Sequence, residues 1–503
     1  MPMFCEATEV LNIVDIADIV INGSEEQDNI GIYMSSCGDL NRDGLEEFSI
    51  VTRQLTSPLP FDNYDYIIFG ATDFPPLIDL SNPPDRSMIF YRAGGGIIQA
   101  CGVGDFNQDG FEDMLVADSR ADDDGLYDAG KGYVVFGNAD LPTGMQDFDS
   151  LPLDKILIRN YRASGGLGAS LAGAGDANDD GFPDVILGTA GGQGEAFLIF
   201  GGTDLPSELQ VNDLGDRGVK MKGQIGFGRA ADGLGDINGD GIDDFAIGSG
   251  SLADQRWGHI YVIYGATDWP GEIDVRNLGD LGIDIQETSS RDEYGYSVVG
   301  IGDANADGFN DVLFSALDAD VNSIHDAGKV FVLFGGPNLP QVLVNTELGD
   351  YGLSINGIER DQELGRAIGA LGDINQDGYD DFAVCSTVKK EAHLIFGGKD
   401  FPQNASIEDL DRICVYGRYP ENNGFGSGAT KIGDINGDGI EDIALGDFGR
   451  SPNDQFVAGT VYIIYGKPGQ FQSLQQKCDL NDDGTVNHKD LFLFQSQWMK
   501  DSD

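Results

Sequence analysis

Seven short segments of this chain place acidic and amide side chains at a fixed spacing that suits metal binding. Each has the pattern D-x-N-x-D-G-x-x-[DE], and the copies begin at Asp39, Asp105, Asp176, Asp236, Asp303, Asp373 and Asp434. Positions 1, 3, 5 and 9 offer hard oxygen donors, position 7 can add its carbonyl, and glycine at position 6 permits a sharp turn. Ca²⁺ accepts oxygen donors at flexible distances, whereas Mg²⁺ requires a tighter octahedron and soft metals require cysteine or histidine. The pattern therefore predicts calcium loops.

The predicted ligands are the side chains at positions 1, 3, 5 and 9 of every copy. In chain order they are Asp39, Asn41, Asp43 and Glu47; Asp105, Asn107, Asp109 and Asp113; Asp176, Asn178, Asp180 and Asp184; Asp236, Asn238, Asp240 and Asp244; Asp303, Asn305, Asp307 and Asp311; Asp373, Asn375, Asp377 and Asp381; and Asp434, Asn436, Asp438 and Asp442. The longer Glu47 side chain would bind through both oxygens or leave a looser site. Metal-free Asx turns are the alternative interpretation. However, three carboxylates within nine residues repel one another, and seven such clusters favour a counterion.

The spacing of the copies indicates a repeat architecture. The intervals are 66, 71, 60, 67, 70 and 61 residues, so each loop belongs to a unit of nearly constant size. A glycine-rich segment such as 226–235 precedes each loop and an apolar segment such as 244–248 follows it, and both are predicted to be strands. A third strand with alternating aromatics, such as 261–265, and a more polar fourth strand, such as 282–286 or 352–356, complete the unit.

Four short antiparallel strands in each of seven units predict an all-β fold, a seven-bladed β-propeller. Small residues in the first strands suit the innermost position, where seven strands crowd a central channel. No fourth strand follows the last third strand at 461–465, whereas the apolar segment 18–23 precedes the first unit. We therefore expect the N-terminal strand to complete the last blade, which closes the ring without an open sheet edge.

Gly226-Phe227-Gly228 and Gly424-Phe425-Gly426, with the acidic loop and the apolar strand after it, resemble FG-GAP repeats. These repeats form the N-terminal propeller of integrin α subunits and of bacterial secreted relatives. The resemblance covers about residues 15 to 467. It implies that the loops join the first and second strands on one face and bind calcium structurally, while ligands meet the opposite face or the rim. Segments 29–31 and 95–97 depart from the Gly-Phe-Gly pattern, which weakens the strand prediction in blades one and two.

An eighth acidic loop near the C-terminus differs from the other seven. It runs from Asp479 to Asp490, and an apolar pattern at helical spacing follows it, so a loop and a short helix are predicted. It resembles half an EF-hand and, more narrowly, one calcium repeat of a type I dockerin, the module that docks secreted proteins onto cohesins. Dockerins carry two repeats, so four alternatives stay open for this one: truncation, pairing with another chain, docking of a cohesin-like partner, or packing on the propeller. The resemblance implies the ligands Asp479, Asn481, Asp483, Asn487 and Asp490.

Composition and segment boundaries define the expected domains. Residues 1–467 are predicted to form the propeller, 468–478 a linker, and 479–503 the calcium loop and helix.

The formal charge is −55, from 85 acidic and 30 basic residues, and the eight loops account for only 24 of the acidic ones. The remaining acidic surface opposes binding to nucleic acid or anionic membrane. No apolar run approaches the ~20 residues that would span a membrane.

We expect an extracellular or cell-surface protein, because weak calcium sites fill where the ion is abundant. The N-terminus lacks the pattern of a signal peptide, which suggests a processed or trimmed start.

The cysteines at 37, 101, 385 and 414 fall in predicted strands and are expected to be buried thiols. Cys5 and Cys478 flank the ring closure and are candidates for a disulfide.

No acid, base or nucleophile stands out beyond the predicted metal ligands, and none of the four histidines has a motif partner, so no catalytic residue is assigned. The leading hypothesis is a non-enzymatic, calcium-stabilised binding or adhesion propeller that recognises protein or glycan. The alternatives are a subunit of an extracellular surface assembly or filament, with the tail engaging a neighbour, and a calcium-dependent polysaccharide lyase or hydrolase.

Overall fold

The computed structural model describes residues 11–25, 28–52, 63–92, 98–160, 162–191, 194–250, 258–287, 294–344, 348–417, 424–451 and 458–467. Within these residues, 35 strands form seven five-stranded sheets. The first strand of each sheet contacts the first strands of both neighbouring sheets, and Met34–Gly38 contacts Phe425–Gly433 where the ring closes. The fold is therefore a seven-bladed β-propeller, as the sequence predicts.

The strands of each blade are numbered here from the channel outwards. The first strands are Met34–Gly38, Ile98–Gly104, Leu167–Gly175, Phe227–Gly235, Val298–Gly302, Ala367–Gly372 and Phe425–Gly433. The second strands are Glu47–Val51, Asp113–Asp118, Asp184–Thr189, Asp244–Ser249, Asp311–Ala316, Asp381–Ser386 and Asp442–Asp447. The third strands are Tyr64–Ile68, Lys131–Val135, Glu195–Ile199, His259–Ile263, Lys329–Leu333, Glu391–Ile395 and Thr460–Ile464. The fourth strands are Ser87–Tyr91, Lys155–Arg159, Gly218–Lys222, Gly282–Gln286, Gly352–Asn356, Arg412–Tyr416 and, for blade seven, Ile19–Asn22.

A short fifth strand at the outer edge of every sheet is an addition to the four predicted strands. The fifth strands are Leu11–Asn12, Leu77–Asp79, Gly144–Asp147, Glu208–Gln210, Glu272–Asp274, Val342–Val344 and Asn404–Ser406. Each lies parallel to a fourth strand, and six come from the connection between the third and fourth strands of the next blade, as when Glu208–Gln210 pairs with Lys155–Arg159. The seventh, Leu11–Asn12, precedes the N-terminal strand that is the fourth strand of blade seven. Every blade therefore hydrogen-bonds to the outer edge of the blade before it.

Helical structure in the described residues is limited to short turns. One α-helical turn spans Ile13–Ile16, and 3-10 turns span Phe148–Ser150, Gly215–Arg217, Val275–Asn277, Gly279–Leu281, Gly349–Tyr351 and Ile407–Asp409. Most of the 3-10 turns lie between a fifth strand and the fourth strand that follows it in the chain. None of these helices is long and apolar enough to cross a membrane, within the described part of the chain.

The N-terminal segment closes the ring at two points. Ile19–Asn22 pairs antiparallel with the third strand of blade seven, with Ile21 opposite Val461, and so supplies the fourth strand of that blade. Leu11–Asn12 pairs in parallel with Arg412–Tyr416 and so supplies the fifth strand of blade six. The predicted N-terminal closure is confirmed, and the structure extends it to a second blade.

The hydrophobic core lies between blades, in seven clusters of buried side chains. The third-strand aromatics belong to these clusters, and Tyr133, Phe197 and Tyr261 are each at most 4% exposed. Glycine in the innermost strands allows neighbouring blades to approach closely. A Cβ on Gly102 would lie 2.7 Å from the carbonyl carbon of Cys37 in blade one.

Several predictions from the sequence fall at or near the limits of the described chain. The first strands of blades one and two are present, although segment 95–97 lies outside the described residues. Cys37, Cys385 and Cys414 are buried free thiols, and Cys101 is a partly buried one. Cys5, Cys478, the linker 468–478 and the whole tail 479–503 also lie outside the described residues.

Candidate metal centres

The seven acidic loops each join a first strand to a second strand and fold in the same way. In the loop of blade two, one Asp105 oxygen accepts from the Asp109 N–H at 3.0 Å and the other from the Gly110 N–H at 2.9 Å. Asp109 in turn accepts from the Phe111 N–H at 3.0 Å. The bonds to the first-position carboxylate recur in the other six loops. The D-x-N-x-D-G pattern thus fixes the loop through its own backbone.

The ninth residue of each loop begins the second strand and is fully buried. Glu47, Asp113, Asp184, Asp244, Asp311, Asp381 and Asp442 are all 0% exposed. In blade two, one Asp113 oxygen accepts from the Phe106 N–H and the other from the Gly137 N–H, both at 2.9 Å. The ninth side chain thereby connects its own loop to the glycine two residues after the third strand.

These buried carboxylates have no cationic partner in the part of the chain that the structure describes. Burial raises the pKa of Asp184 to about 8, and the carboxylates of Asp180 and Asp176 raise it further. Burial likewise raises the pKa of Glu47 to about 8 and that of Asp113 to about 7. No lysine or arginine among the described residues is ion-paired with any of the seven ninth-position carboxylates. A buried acid beside two others is stabilised when a cation neutralises the group, so the donor set fits a divalent metal ion.

In one of the seven loops, the first, the spacing of the carboxylate oxygens agrees with this fit. In the first loop, carboxylate oxygens of Asp39, Asp43 and Glu47 all lie within 4.8 Å of one another. The Asn41 amide nitrogen donates to Glu47 at 3.0 Å, whereas the equivalent amide of Asn107 donates to Asp109 at 2.9 Å. The asparagine therefore supplies a partial positive charge to a carboxylate in each arrangement. In blades two to six the residues at positions 1, 3 and 5 are joined by hydrogen bonds, and bound calcium stays a prediction.

Neighbouring loops are tied to one another by the residue at position 8. The Glu112 carboxylate in blade two accepts from the backbone N–H of Asp39 in blade one at 2.8 Å. Asp243 accepts in the same way from the Asp176 N–H at 2.9 Å, and Asp380 accepts from the Asp303 N–H at 2.8 Å. Each bond fixes the backbone of the first predicted ligand in the preceding loop. The geometry of one loop therefore depends on the next blade.

A second tie between blades is made by backbone groups after the third strands. The N–H groups of Gly202, Ala266, Gly336 and Gly398 donate to the carbonyl at position 2 of the preceding loop, at 2.8 to 3.0 Å. A glycine precedes each of these donors, because there is no room for a side chain at that position. A Cβ on Gly137 would lie 2.1 Å from the Glu112 carbonyl oxygen and 2.6 Å from that of Leu40 in the preceding loop. Ala71 donates in the same way to Ile435 at 2.8 Å, so hydrogen bonds join consecutive loops from blade seven through blades one to six on a single face of the propeller.

We expect Glu112→Ala to lower the free energy of unfolding by about 1 kcal/mol, because it removes a hydrogen bond to a charged acceptor between blades. Urea denaturation in calcium would measure the change. Asp268→Ala is the matched control, because Asp268 is an exposed carboxylate with no described ion pair. Equal stability of the two variants would contradict a coupling role for Glu112.

A cluster of possible metal-ligand side chains in blade six, outside the loops, has hydrogen bonds that oppose metal binding. Ligand atoms of Glu391, His393 and Cys414 lie within 4.8 Å of one another in blade six. The Arg412 Nε–H donates to His393 Nδ1 at 3.3 Å, so the ring proton resides on Nε2, which donates to Glu391 at 3.2 Å. A metal on Nε2 would require the proton on Nδ1, facing the arginine donor. Burial also lowers the pKa of His393, so this cluster is a neutral-histidine polar network.

Sequence reasoning predicted ligands at positions 1, 3, 5 and 9 of each loop but missed the position-8 residues. Five of the seven copies have an acidic residue there, namely Glu46, Glu112, Asp243, Asp380 and Glu441. That excess was a usable signal, because a structural calcium loop alone has no need of acid at this place. The fold shows that several of these side chains point across the blade boundary rather than into their own loop.

Similarity to known proteins was found only over parts of this chain. No protein-family model matches it. It is 29% identical over 183 residues to integrin alpha-PS3 of Drosophila melanogaster, which covers 35% of this chain and 14% of that protein. It is 25% identical over 250 residues to integrin alpha-5 of Xenopus laevis, a match that covers 47% of this chain and 20% of that protein. It is 30% identical over 166 residues to integrin alpha-IIb of Mus musculus, a match that covers 31% of this chain and 15% of that protein.

The matched region therefore spans about a fifth or less of the length of these curated relatives. Together with the seven blades, the similarity supports an integrin α-like propeller. These relatives are named as integrin subunits and not as enzymes, which agrees with the prediction that this chain is not an enzyme.

Proposed function

We propose that the chain is a calcium-stabilised, extracellular binding propeller of the adhesion type. The observation that carries the proposal is the ring of seven loops, each with a fully buried carboxylate that has no described cationic partner. Calcium in these loops would hold the blades together, since the loops are hydrogen-bonded to one another. Similarity to integrin α subunits supports adhesion as the activity that the propeller serves.

Ligand binding is assigned to the face opposite the loops. Eight large apolar side chains are exposed among the described residues, and four of them lie in connections on that opposite face: Tyr127, Ile225, Tyr296 and Val388. Exposed apolar and aromatic groups are typical of interaction surfaces. The calcium face is occupied by contacts between blades, so the opposite face is the better platform for a partner.

The predicted domain organisation forms part of this proposal. Residues up to 467 make the binding propeller, 468–478 connect it to the tail, and the loop from Asp479 binds a further calcium ion through the side chains given above. A cohesin-like partner or self-assembly through the tail would be additional to binding by the propeller.

Binding of the protein in calcium to an array of extracellular-matrix proteins and glycans tests the function. For the ligand retained, we expect Tyr127→Ala to lower affinity about tenfold, as loss of an aromatic contact in an interface does. Tyr351→Ala is the control, because Tyr351 is also exposed but precedes a fourth strand at the calcium-loop end. No retained ligand on the array, or equal effects of both variants, would contradict the proposal.

A further inference from the structure

The centre of the propeller contains a cavity of about 1440 Å³. Its walls are the innermost strands, and its mouth lies where the second strands end, on the face opposite the acidic loops. Residues that follow second strands, such as Ser119, Ala190 and Thr387, and residues just before or within first strands, such as Tyr296, line that mouth. The cavity is therefore open on the face to which ligand binding is assigned.

The charge of the cavity is opposite to that of the protein. Among the described residues, its charged lining residues are four cations, Arg120, Arg229, Arg366 and Lys431, and two anions, Asp128 and Asp232. The whole chain has 85 acidic and only 30 basic residues. A concave site with an excess of cations in so acidic a protein favours an anionic ligand.

Three of these cations lie at the same end of the channel. Arg120 follows the second strand of blade two, Asp113–Asp118. Arg229 lies in blade four next to Ala230, which is paired with Gly248 near the end of its second strand. The backbone N–H of Arg366 in blade six donates to the backbone carbonyl of Cys385, which also lies near the end of a second strand. The guanidinium groups thus come from alternate blades around one opening.

The arginines are available to a ligand. No ion pair involves the guanidinium of Arg120 or Arg229 among the described residues, and the Arg366 side chain is 49% exposed with one surface contact, to Glu363 at 3.3 Å. The anion deeper in the channel is already engaged, because Asp232 accepts from the Gly300 N–H at 2.9 Å. Two guanidinium groups without a described ion pair and one lightly paired one outnumber the remaining lining carboxylate, Asp128, and leave positive charge for a ligand.

The uncharged walls indicate what kind of anion fits. The lining includes four hydroxyl side chains near the mouth, and Tyr296 at the mouth is 51% exposed; the four are Ser119, Ser164, Ser297 and Thr387. Hydroxyls match the hydrogen-bonding groups of a sugar, and an exposed aromatic ring provides an apolar surface against which a sugar ring can pack. Cations on three blades also suit a ligand whose negative charges repeat along a chain.

We propose that the mouth of the channel binds an acidic oligosaccharide whose uronate carboxylates contact Arg229, Arg366 and Arg120. This assignment rests on the proposed binding function and specifies its ligand class. At physiological ionic strength the Debye length is about 8 Å, so carboxylates elsewhere on the surface are largely screened from the ligand.

Isothermal titration calorimetry with hexagalacturonate, on the full-length protein in calcium, tests the proposal. We expect binding that weakens at least about tenfold when the carboxylates are methyl-esterified, and a similar loss in Arg229→Gln, since each charged hydrogen bond is lost. Arg276→Gln is the matched control, because Arg276 is an exposed arginine paired with Asp274 on the outer edge. Its affinity should stay within about twofold of the parent protein. Circular dichroism verifies that both variants fold.

Hexaglutamate separates a glycan from an acidic peptide. If hexaglutamate binds more tightly than hexagalacturonate with the same dependence on Arg229, the oligosaccharide assignment is wrong and the channel is an acidic-peptide site. If neither probe binds the folded protein, or if Arg276→Gln weakens binding as much as Arg229→Gln, the channel assignment is wrong. Ligand capture on the array with loss in Tyr127→Ala would then still support the adhesion function.

Discussion

Removal of calcium is expected to lower the midpoint of thermal unfolding by roughly 20 °C or more. A ligand that binds only the folded state at 100 times its dissociation constant adds about 2.7 kcal/mol per site, or roughly 19 kcal/mol for seven independent sites. This sum exceeds the 5 to 15 kcal/mol by which a folded domain is typically stable. The seven fully buried carboxylates explain the direction of the effect, because without a cation they destabilise the folded state.

Differential scanning calorimetry in calcium and in EDTA would measure this change. Excess calcium added after EDTA should restore the original midpoint, whereas magnesium should restore less of it, because Mg²⁺ requires a tighter octahedron. Asp244→Asn should lose a fraction of the calcium-dependent stability, since it weakens one loop among seven. An unchanged midpoint in EDTA would contradict structural calcium altogether.

Deletion of residues 1–23 is expected to abolish cooperative folding of the ring. The deletion removes the fourth strand of blade seven and the fifth strand of blade six. Ile19 and Ile21 are at most 1% exposed, and burial of two isoleucine side chains contributes about 3 to 6 kcal/mol. The shortened chain would also expose the edge of Thr460–Ile464, which favours aggregation.

Peptide complementation gives this prediction a specific control. A synthetic peptide of residues 11–25 should restore a single cooperative transition to the shortened protein, because it supplies both missing strands. The same peptide with Ile21→Asp should fail, since it would place a charge in a fully buried position. A shortened protein that unfolds cooperatively at the original midpoint would show that the N-terminal closure is dispensable.

Local pattern was enough to predict the loops, four of the five strands in each blade and the number of blades. The segment Asp236 to Asp244 specifies its own turn, because its side chains bond to backbone groups within five residues. The apolar second strand after it is buried on both faces and reads as a continuous hydrophobic run. These signals lie within one unit of about 65 residues and recur seven times. A strand wrongly assigned in one unit would therefore not have changed the predicted fold.

The contacts between blades needed the tertiary structure. A three-residue fifth strand such as Glu208–Gln210 is too short to show a period, and it pairs with a strand about 50 residues earlier. The contact from Glu112 to Asp39 crosses 73 residues, and nothing in either loop indicates its direction. Such pairings depend on the twist and closure of the ring, which no single repeat determines.

The sequence by itself determined the seven-bladed fold, the N-terminal closure and the positions of the acidic loops, because each follows from short-range patterns that repeat. Only the tertiary structure decided which faces and residues are free for a partner. Arg120, Arg229 and Arg366 are scattered among 85 acidic residues in the chain, and they meet at one opening because closure of the ring brings alternate blades around a common axis.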